Sequence, residues 1–139
     1  MIVVDTSVIL AYMNSADNHH ADVGEWLDSE QDDLTTTPLV IAEADHLVAA
    51  RGGPGATSAL RTDLIAGAYL VEWWTGAIAA TVRVAEQYAD NGLGLTDASL
   101  IALAEHVGTT DIATLDERHF RAVRPLAGGN AFRLLPRDV

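Results

Sequence analysis

The stretch Ile2-Val3-Val4-Asp5-Thr6-Ser7-Val8-Ile9 decides the fold predicted for this chain. Its first three residues form a short apolar run typical of a buried strand, and Thr6 or Ser7 offers an N-cap for a helix that begins there. A strand that passes directly into a helix is the repeating unit of an α/β protein. Asp5 stands at the junction, where a carboxylate is costly to bury unless a positive group pairs with it.

Short apolar runs and amphipathic stretches alternate along the rest of the chain. The predicted strands are 2–4, 34–36, 69–73, 111–115 and 132–135, and the predicted helices after the first are 20–29, 38–51, 56–66, 77–90 and 97–106. We expect Thr37 and Thr96 to cap two of these helices, and the segment 52–55, rich in glycine and proline, to end another. This alternation predicts a mostly parallel sheet covered by helices on both faces, in one domain that spans residues 1–139.

The composition indicates a globular protein with a substantial core. Hydrophobic residues make up 49% of the 139 residues and charged residues 20%, so disorder is not expected. No apolar run approaches the roughly 20 residues needed to cross a bilayer, and no basic region or cleavage site precedes the first strand. We therefore expect a cytoplasmic protein. The absence of cysteine agrees with a reducing compartment and excludes thiolate metal sites and cysteine nucleophiles.

The net charge of −12 is unfavourable for binding nucleic acid. All eight basic residues are arginines, and the lack of lysine excludes a P-loop lysine or a Schiff-base enzyme. Five of them lie near the C-terminus: Arg118, Arg121, Arg124, Arg133 and Arg137. This basic tail beside an acidic remainder is either a phosphate-binding edge or a solvated surface without a partner.

Four acidic residues stand where an apolar stretch stops or a helix begins: Asp5, Glu43, Asp97 and Asp116. Two of them follow predicted strands, and open α/β sheets place their sites at the C-terminal ends of strands. The other two lie in the first turns of predicted helices, from which they can reach the same crevice. Oxygen ligands of this kind suit Mg²⁺ or Mn²⁺, which can activate water and stabilise the leaving oxygen of a phosphodiester. The alternative is that these acids are only helix caps and dipole partners.

Two hydroxyl residues adjoin this acidic group. Ser7 is two residues from Asp5 and can hydrogen-bond to a carboxylate that binds an ion. Thr114 and Asp116 are two residues apart, so in strand geometry they share a face. His119 follows Asp116 by three residues, and we expect it to have a structural role or to support the acids.

Four segments carry a more specific pattern: Val3-Val4-Asp5-Thr6-Ser7-Val8-Ile9, Pro38-Leu39-Val40-Ile41-Ala42-Glu43, Leu95-Thr96-Asp97-Ala98-Ser99-Leu100 and Ala113-Thr114-Leu115-Asp116-Glu117-Arg118-His119-Phe120. In this order and spacing they resemble PIN-domain ribonucleases, and in particular the VapC-type toxins of bacterial type II toxin–antitoxin systems. The resemblance covers almost the whole chain.

The resemblance implies a PIN-like three-layer α/β/α sandwich and an endoribonuclease dependent on Mg²⁺ or Mn²⁺. It assigns catalysis and metal binding to Asp5, Glu43, Asp97 and Asp116, and it matches Ser7 and Thr114 to the polar positions beside them. It further implies a structured RNA substrate (transfer RNA or ribosomal RNA), a VapB-type antitoxin partner and a homodimer. From the charge distribution, we expect the RNA to approach through Arg118, Arg121 and Arg124.

Two alternatives remain open on the sequence alone. An aspartate-based phosphatase would use Asp5 as its nucleophile, but it would want a second aspartate where Ser7 stands and usually a lysine. A non-catalytic module could instead use the acids to bind cations or a basic peptide. Metal-dependent cleavage of RNA separates the enzyme from the binding module.

Overall fold

The computed structural model describes residues 1–139, which form a five-stranded sheet and six α-helices. The strands are β1 (Ile2–Val4), β2 (Leu34–Thr36), β3 (Leu70–Val71), β4 (Asp111–Ala113) and β5 (Arg133–Leu135). The helices are α1 (Thr6–Met13), α2 (His20–Ser29), α3 (Pro38–Ile65), α4 (Ala77–Gln87), α5 (Leu95–Val107) and α6 (Glu117–Arg121), with a short 3₁₀ helix at Ala89–Asn91.

The sheet has the order β3-β2-β1-β4-β5, and every neighbouring pair of strands is parallel. Crossovers between parallel strands are right-handed, so α1–α3 cover one face and α4–α6 the other. The contacts of α1 with α2 and α3, and of α4 with α5, agree with this arrangement. The predicted three-layer α/β/α sandwich is confirmed, and its sheet is parallel throughout.

The central strands and α5 form the core. All three residues of β1 are fully buried, and α5 is buried continuously from Ala98 to Ala104. A helix that is apolar on all sides must be enclosed, and α5 packs between β1 and α4. The end of β1 and the start of α5 are therefore held firmly, and each carries one of the predicted acids.

Several predicted boundaries are wrong. The third strand is limited to Leu70–Val71, because it lies at the sheet edge with both side chains exposed. The fourth strand ends at Ala113, so Thr114 and Asp116 lie beyond it instead of on its face. The two predicted central helices follow each other without a loop and together form α3, but Gly53 breaks the helical geometry at the expected place, with φ 77° just before Pro54.

Two of the predicted N-caps are also wrong. Asp5, not Thr6 or Ser7, caps α1, because its carboxylate reaches the first free backbone N–H of the helix. Helix α5 begins one residue before Thr96, and its N-cap is Gly94 without a side-chain bond. The cap predicted at Thr37 is confirmed, since its hydroxyl accepts a hydrogen bond from Val40 N–H.

None of the helices combines the length and the apolar character required to traverse a lipid bilayer.

Candidate functional site

A cavity of about 320 Å³ opens where the sheet reverses its strand order. From β1 the chain adds β2 and β3 on one side, whereas β4 and β5 extend the other side, so the switch point lies between β1 and β4. Asp5 follows β1 directly, and Asp116 lies three residues beyond β4. The walls of the cavity include all four predicted acids: Asp5, Glu43, Asp97 and Asp116. We call this cavity the acidic pocket.

Asp5 is the most enclosed of the four acids, with only 4% of its surface exposed. Its Oδ1 accepts the Thr6 N–H at 2.8 Å, and its Oδ2 accepts the hydroxyls of Ser7 at 2.7 Å and Thr114 at 2.8 Å. Burial raises the pKa of Asp5 to about 6, although these hydrogen bonds lower it and the nearby Asp97 raises it further. Because a carboxylate oxygen has two lone pairs, Oδ1 keeps one acceptor position for another ligand.

Ser7 and Thr114 connect Asp5 to the segment after β4. The Ser7 hydroxyl accepts the N–H of Leu115 at 2.9 Å, and the Thr114 hydroxyl accepts the N–H of Asp116 at 2.9 Å. Each hydroxyl therefore accepts from the backbone and donates its own hydrogen to Asp5. This double link fixes the Asp5 carboxylate in one orientation and ties the Asp116 backbone to it.

His119 bridges the carboxylates of Asp97 and Asp116. Its Nδ1 lies 2.8 Å from Asp97 Oδ2 and 3.2 Å from Asp116 Oδ2. Since an ionised carboxylate only accepts hydrogen bonds, Nδ1 carries the hydrogen. Asp116 also caps α6 by accepting the His119 N–H through Oδ1 at 3.3 Å. The histidine thus contacts two of the acids directly, in the supporting position that the sequence suggested.

Asp97 is half-buried, and burial raises its pKa. The contact with His119 lowers the pKa again, while Asp116 and Glu43 raise it by repulsion. Its position in the first turn of α5 favours a carboxylate, because the free N–H groups there carry partial positive charge. Asp97, Asp116 and His119 each offer a ligand atom, and these atoms lie within 4.8 Å of one another.

Glu43 extends from the second turn of α3, exposed on the wall of the acidic pocket. A chain of hydroxyls sets the distance between α3 and α5. Thr37 Oγ1 lies 2.8 Å from Ser99 Oγ, which in turn donates to the Thr96 carbonyl at 2.6 Å. The N-terminal turns of the two helices, and with them Glu43 and Asp97, are therefore held on the same pocket.

The donor set of the acidic pocket fits a hard divalent cation. Carboxylate oxygens come from four separate elements, and Mg²⁺ and Mn²⁺ prefer oxygen ligands. Thr6 also lines the pocket, and its buried hydroxyl has no hydrogen-bond partner. Such an orphaned polar group is unusual in a folded protein and agrees with a pocket built for a further ligand.

The arginines near the C-terminus are less free than the sequence suggested. Arg121 pairs with both carboxylate oxygens of Asp138, at 2.8 and 2.6 Å, and lowers the pKa of that acid to about 2. Arg133 is paired in the same way with Asp111. Arg118 has no ion pair and lines a smaller cavity together with His119, while the side chain of Arg124 is exposed.

Sequence reasoning missed Arg51, which lines the acidic pocket. The signal was its spacing: Glu43, Leu47 and Arg51 recur every four residues and so lie on one face of α3. Only Glu43 on this face was predicted to belong to the site.

The sequence matches the family model of the PIN domain over residues 2–125. Ribonuclease VapC26 of Mycobacterium tuberculosis (strain ATCC 25618 / H37Rv) is 40% identical to the chain over 136 residues, which covers 97% of this chain and 100% of that relative.

Two solved structures share the fold. Mycobacterium tuberculosis VapC20, a sarcin–ricin loop cleaving toxin, has a TM-score of 0.80 and 22% identity, covering 90% of this chain and 100% of that one. FitAcB from Neisseria gonorrhoeae has a TM-score of 0.62 and 24% identity, covering 86% and 91%. At these identities the two structures bear on the fold alone. The family match and the near-complete alignment with VapC26 establish that this chain belongs to the PIN-domain family.

Proposed function

We propose that this chain is a Mg²⁺- or Mn²⁺-dependent endoribonuclease and the toxin of a type II toxin–antitoxin pair. The convergence of four carboxylates on one pocket at the switch point of the sheet is the observation that carries the proposal. The near-complete alignment with a protein named Ribonuclease VapC26 supports it, since 40% identity makes a shared activity the simplest expectation.

In the proposed reaction, Asp5, Glu43, Asp97 and Asp116 hold the cation or cations. When bound, the ion supplies an activated water and offsets the charge that develops on the leaving oxygen. Ser7 and Thr114 hold the Asp5 carboxylate so that its free lone pair is available at the pocket. No side chain has to act as a nucleophile.

His119 has a positioning role in this proposal. Two ionised carboxylates repel each other, and the His119 Nδ1–H attracts both Asp97 and Asp116. It therefore keeps the two acids at a short separation before a cation arrives. Its hydrogen bond to Asp97 also fixes the orientation of that carboxylate.

The proposed substrate is a structured RNA, either ribosomal or transfer RNA. VapC20, which shares the fold, is a toxin that cleaves the sarcin–ricin loop, so this loop is the first RNA to test. Of the three predicted contact residues, Arg118 and Arg124 have no ion pair, whereas Arg121 would have to exchange Asp138 for a phosphate. An enzyme that acts on such RNAs would work in the cytoplasm.

The proposed protein partners are a VapB-type antitoxin and a second copy of the chain. An arginine of the antitoxin could form charge-assisted hydrogen bonds with the carboxylates of the acidic pocket. Ile78 and Val82 on α4 are exposed at 59% and 41%, and such apolar side chains agree with a protein-binding surface. The mass of the purified chain in solution, alone and with a coexpressed antitoxin, tests both partners.

Amide substitutions in the pocket test the proposed function. Asp97→Asn keeps the shape of the side chain but removes its charge, so cleavage of ribosomal RNA with Mn²⁺ should fall by about 100-fold or more. Asp28→Asn is the matched control, because Asp28 is exposed on α2 outside the pocket, and this variant should cleave normally. Undiminished cleavage by Asp97→Asn would refute the proposed role of the acids.

The structure disfavours the phosphatase alternative. A phosphatase with Asp5 as nucleophile would want a second aspartate two residues on, but Ser7 stands there with its hydroxyl donated to Asp5, and the chain has no lysine. The cation-binding module remains distinguishable by experiment, since it would bind Mn²⁺ without cleaving any RNA.

A further inference from the structure

Arg51 is the one cationic side chain among the residues that line the acidic pocket. It lies two helical turns after Glu43 on the same face of α3, with Leu47 between them. Side chains on a helix tend to lean toward its N-terminus, which is the direction of Glu43 from Arg51. Arg51 is exposed and forms no ion pair, although the pocket contains four carboxylates.

Most other arginines are already engaged with acids of the same chain. The paired ones are Arg61 with Asp45, Arg121 with Asp138, Arg133 with Asp111 and Arg137 with Glu117. Of the unpaired ones, Arg51 lines the acidic pocket, and Arg118 lines the small cavity that His119 also lines. Since α3 and α6 cover opposite faces of the sheet, these two arginines lie on opposite sides of it.

The local structure holds Arg51 at this place. Ala44 and Val48 are buried and anchor the first part of α3 to the core. The straight segment then ends directly after Arg51: a Cβ on Gly52 would lie 2.8 Å from the Ala56 Cβ, and Gly53 has φ 77°. A cation in the last turn of a helical segment is also favoured by the helix dipole.

We propose that Arg51 binds a backbone phosphate of the RNA next to the phosphate that is cleaved, on the α3 side of the acidic pocket. This inference rests on the proposed ribonuclease function. A guanidinium group recognises phosphate through two parallel hydrogen bonds, and an arginine without an internal partner can form them at once. On a chain with a net charge of −12, this contact draws the RNA across the pocket from Arg51 toward Arg118.

Arg51→Ala tests the inference, with Arg83→Ala as the matched control. Arg83 is likewise exposed and unpaired, but it lies on α4 and does not line the pocket. In cleavage of a hairpin RNA that carries the sarcin–ricin loop, Arg51→Ala should raise KM about fivefold to tenfold and leave kcat within about twofold. Arg51→Lys should recover part of the loss in KM, since it keeps the charge without the planar fork.

Salt dependence separates a phosphate contact from a structural effect. With Ca²⁺ in place of Mn²⁺, the slope of log Kd against log salt for the same hairpin should decrease in magnitude by about one in Arg51→Ala. Arg83→Ala should keep the slope of the unmodified protein. The midpoint of thermal unfolding should change by only a few degrees in all variants, because both arginines are exposed and the helix dipole contributes little at Arg51.

The failure of this inference is distinguishable from failure of the proposed function. If the unmodified protein cleaves RNA and Arg51→Ala keeps its KM and salt slope, the role of Arg51 is wrong and the ribonuclease stands. An equal loss in Arg83→Ala would also overturn the role, since a general charge effect would explain it. If the unmodified protein cleaves no RNA, the proposed function fails and so does the placement of Arg51 beside a cleaved phosphate; the salt slopes then decide only whether Arg51 contacts RNA. Absence of binding would overturn both.

Discussion

Without a bound cation, the unmodified protein should lose stability as the pH rises, and replacing Asp5 by Asn should abolish this loss. Asp5 is 4% exposed, and burial is the largest influence that raises its pKa from 3.8 to about 6. A shift of about two pKa units corresponds to about 3 kcal/mol of unfavourable interaction with the charged form. The folded state is therefore destabilised by this amount whenever Asp5 is ionised and no cation is bound beside it.

The sign of the pH dependence follows from the raised pKa. Between about pH 4 and about pH 6 the folded chain retains the Asp5 proton while the unfolded chain releases it. The free energy of unfolding therefore falls by about 3 kcal/mol as the pH rises through this window. Asn has no such proton, but it loses about one hydrogen bond at every pH, which costs about 1 kcal/mol. We expect Asp5→Asn to be about 1 kcal/mol less stable at pH 4 and about 2 kcal/mol more stable at pH 7.

Urea denaturation in the presence of EDTA, at a series of pH values, measures this difference. Asp28→Asn serves as the control, because Asp28 is exposed on α2 outside the acidic pocket. A difference for Asp5→Asn that is flat, or that grows toward acid pH, would refute the reasoning. Mn²⁺ at about 100 times its Kd should then stabilise the unmodified protein by about 2.7 kcal/mol, and Asp5→Asn by much less.

Two further predictions concern the support of the site and the kink of α3. Thr114→Val removes a hydroxyl that contacts Asp5 and Asp116, so the rate of RNA cleavage should fall by about 10- to 100-fold. Thr35→Val is the control, because the Thr35 hydroxyl contacts only a sheet carbonyl. This variant should lose stability without losing activity. Equal activities of the two variants, measured as RNA cleavage, would contradict this. Gly53→Ala should destabilise the fold by about 1 kcal/mol or more, because the φ of Gly53 is 77° and alanine is strained there. Gly55→Ala should be neutral or stabilising. Equal midpoints of thermal unfolding for the two variants would contradict backbone strain at Gly53.

The sequence was sufficient to predict the sheet and the acids of the pocket. Apolar strands that alternate with helices permit few arrangements, and an acid after a parallel strand must lie at one edge of the sheet. Asp5 was therefore placed by topology alone, whereas Asp116 lies three residues beyond β4 and its backbone is held by the Thr114 hydroxyl. Glu43 and Asp97 followed from helix starts, whose distance from the pocket is set by the hydroxyl chain from Thr37 to Ser99, which the sequence did not reveal.

The charged surface could not be predicted in the same way. Whether an arginine is free depends on which acid folds against it, and Arg121 meets Asp138 only because the segment after β5 returns to α6. The importance of Arg51 and His119 likewise depends on distances between separate elements. A short motif is enough to predict the residues at a strand end, whereas the ion pairs between distant segments can be identified only from the three-dimensional structure.

The metal dependence of RNA cleavage tests the central claim most directly. The initial rate of cleavage of ribosomal RNA by the purified chain should be undetectable in EDTA and should rise to saturation as Mn²⁺ or Mg²⁺ is added. The saturation should be lost in Asp97→Asn. Cleavage that proceeds equally well in EDTA, or no cleavage with either cation, would contradict a metal-dependent ribonuclease at the acidic pocket.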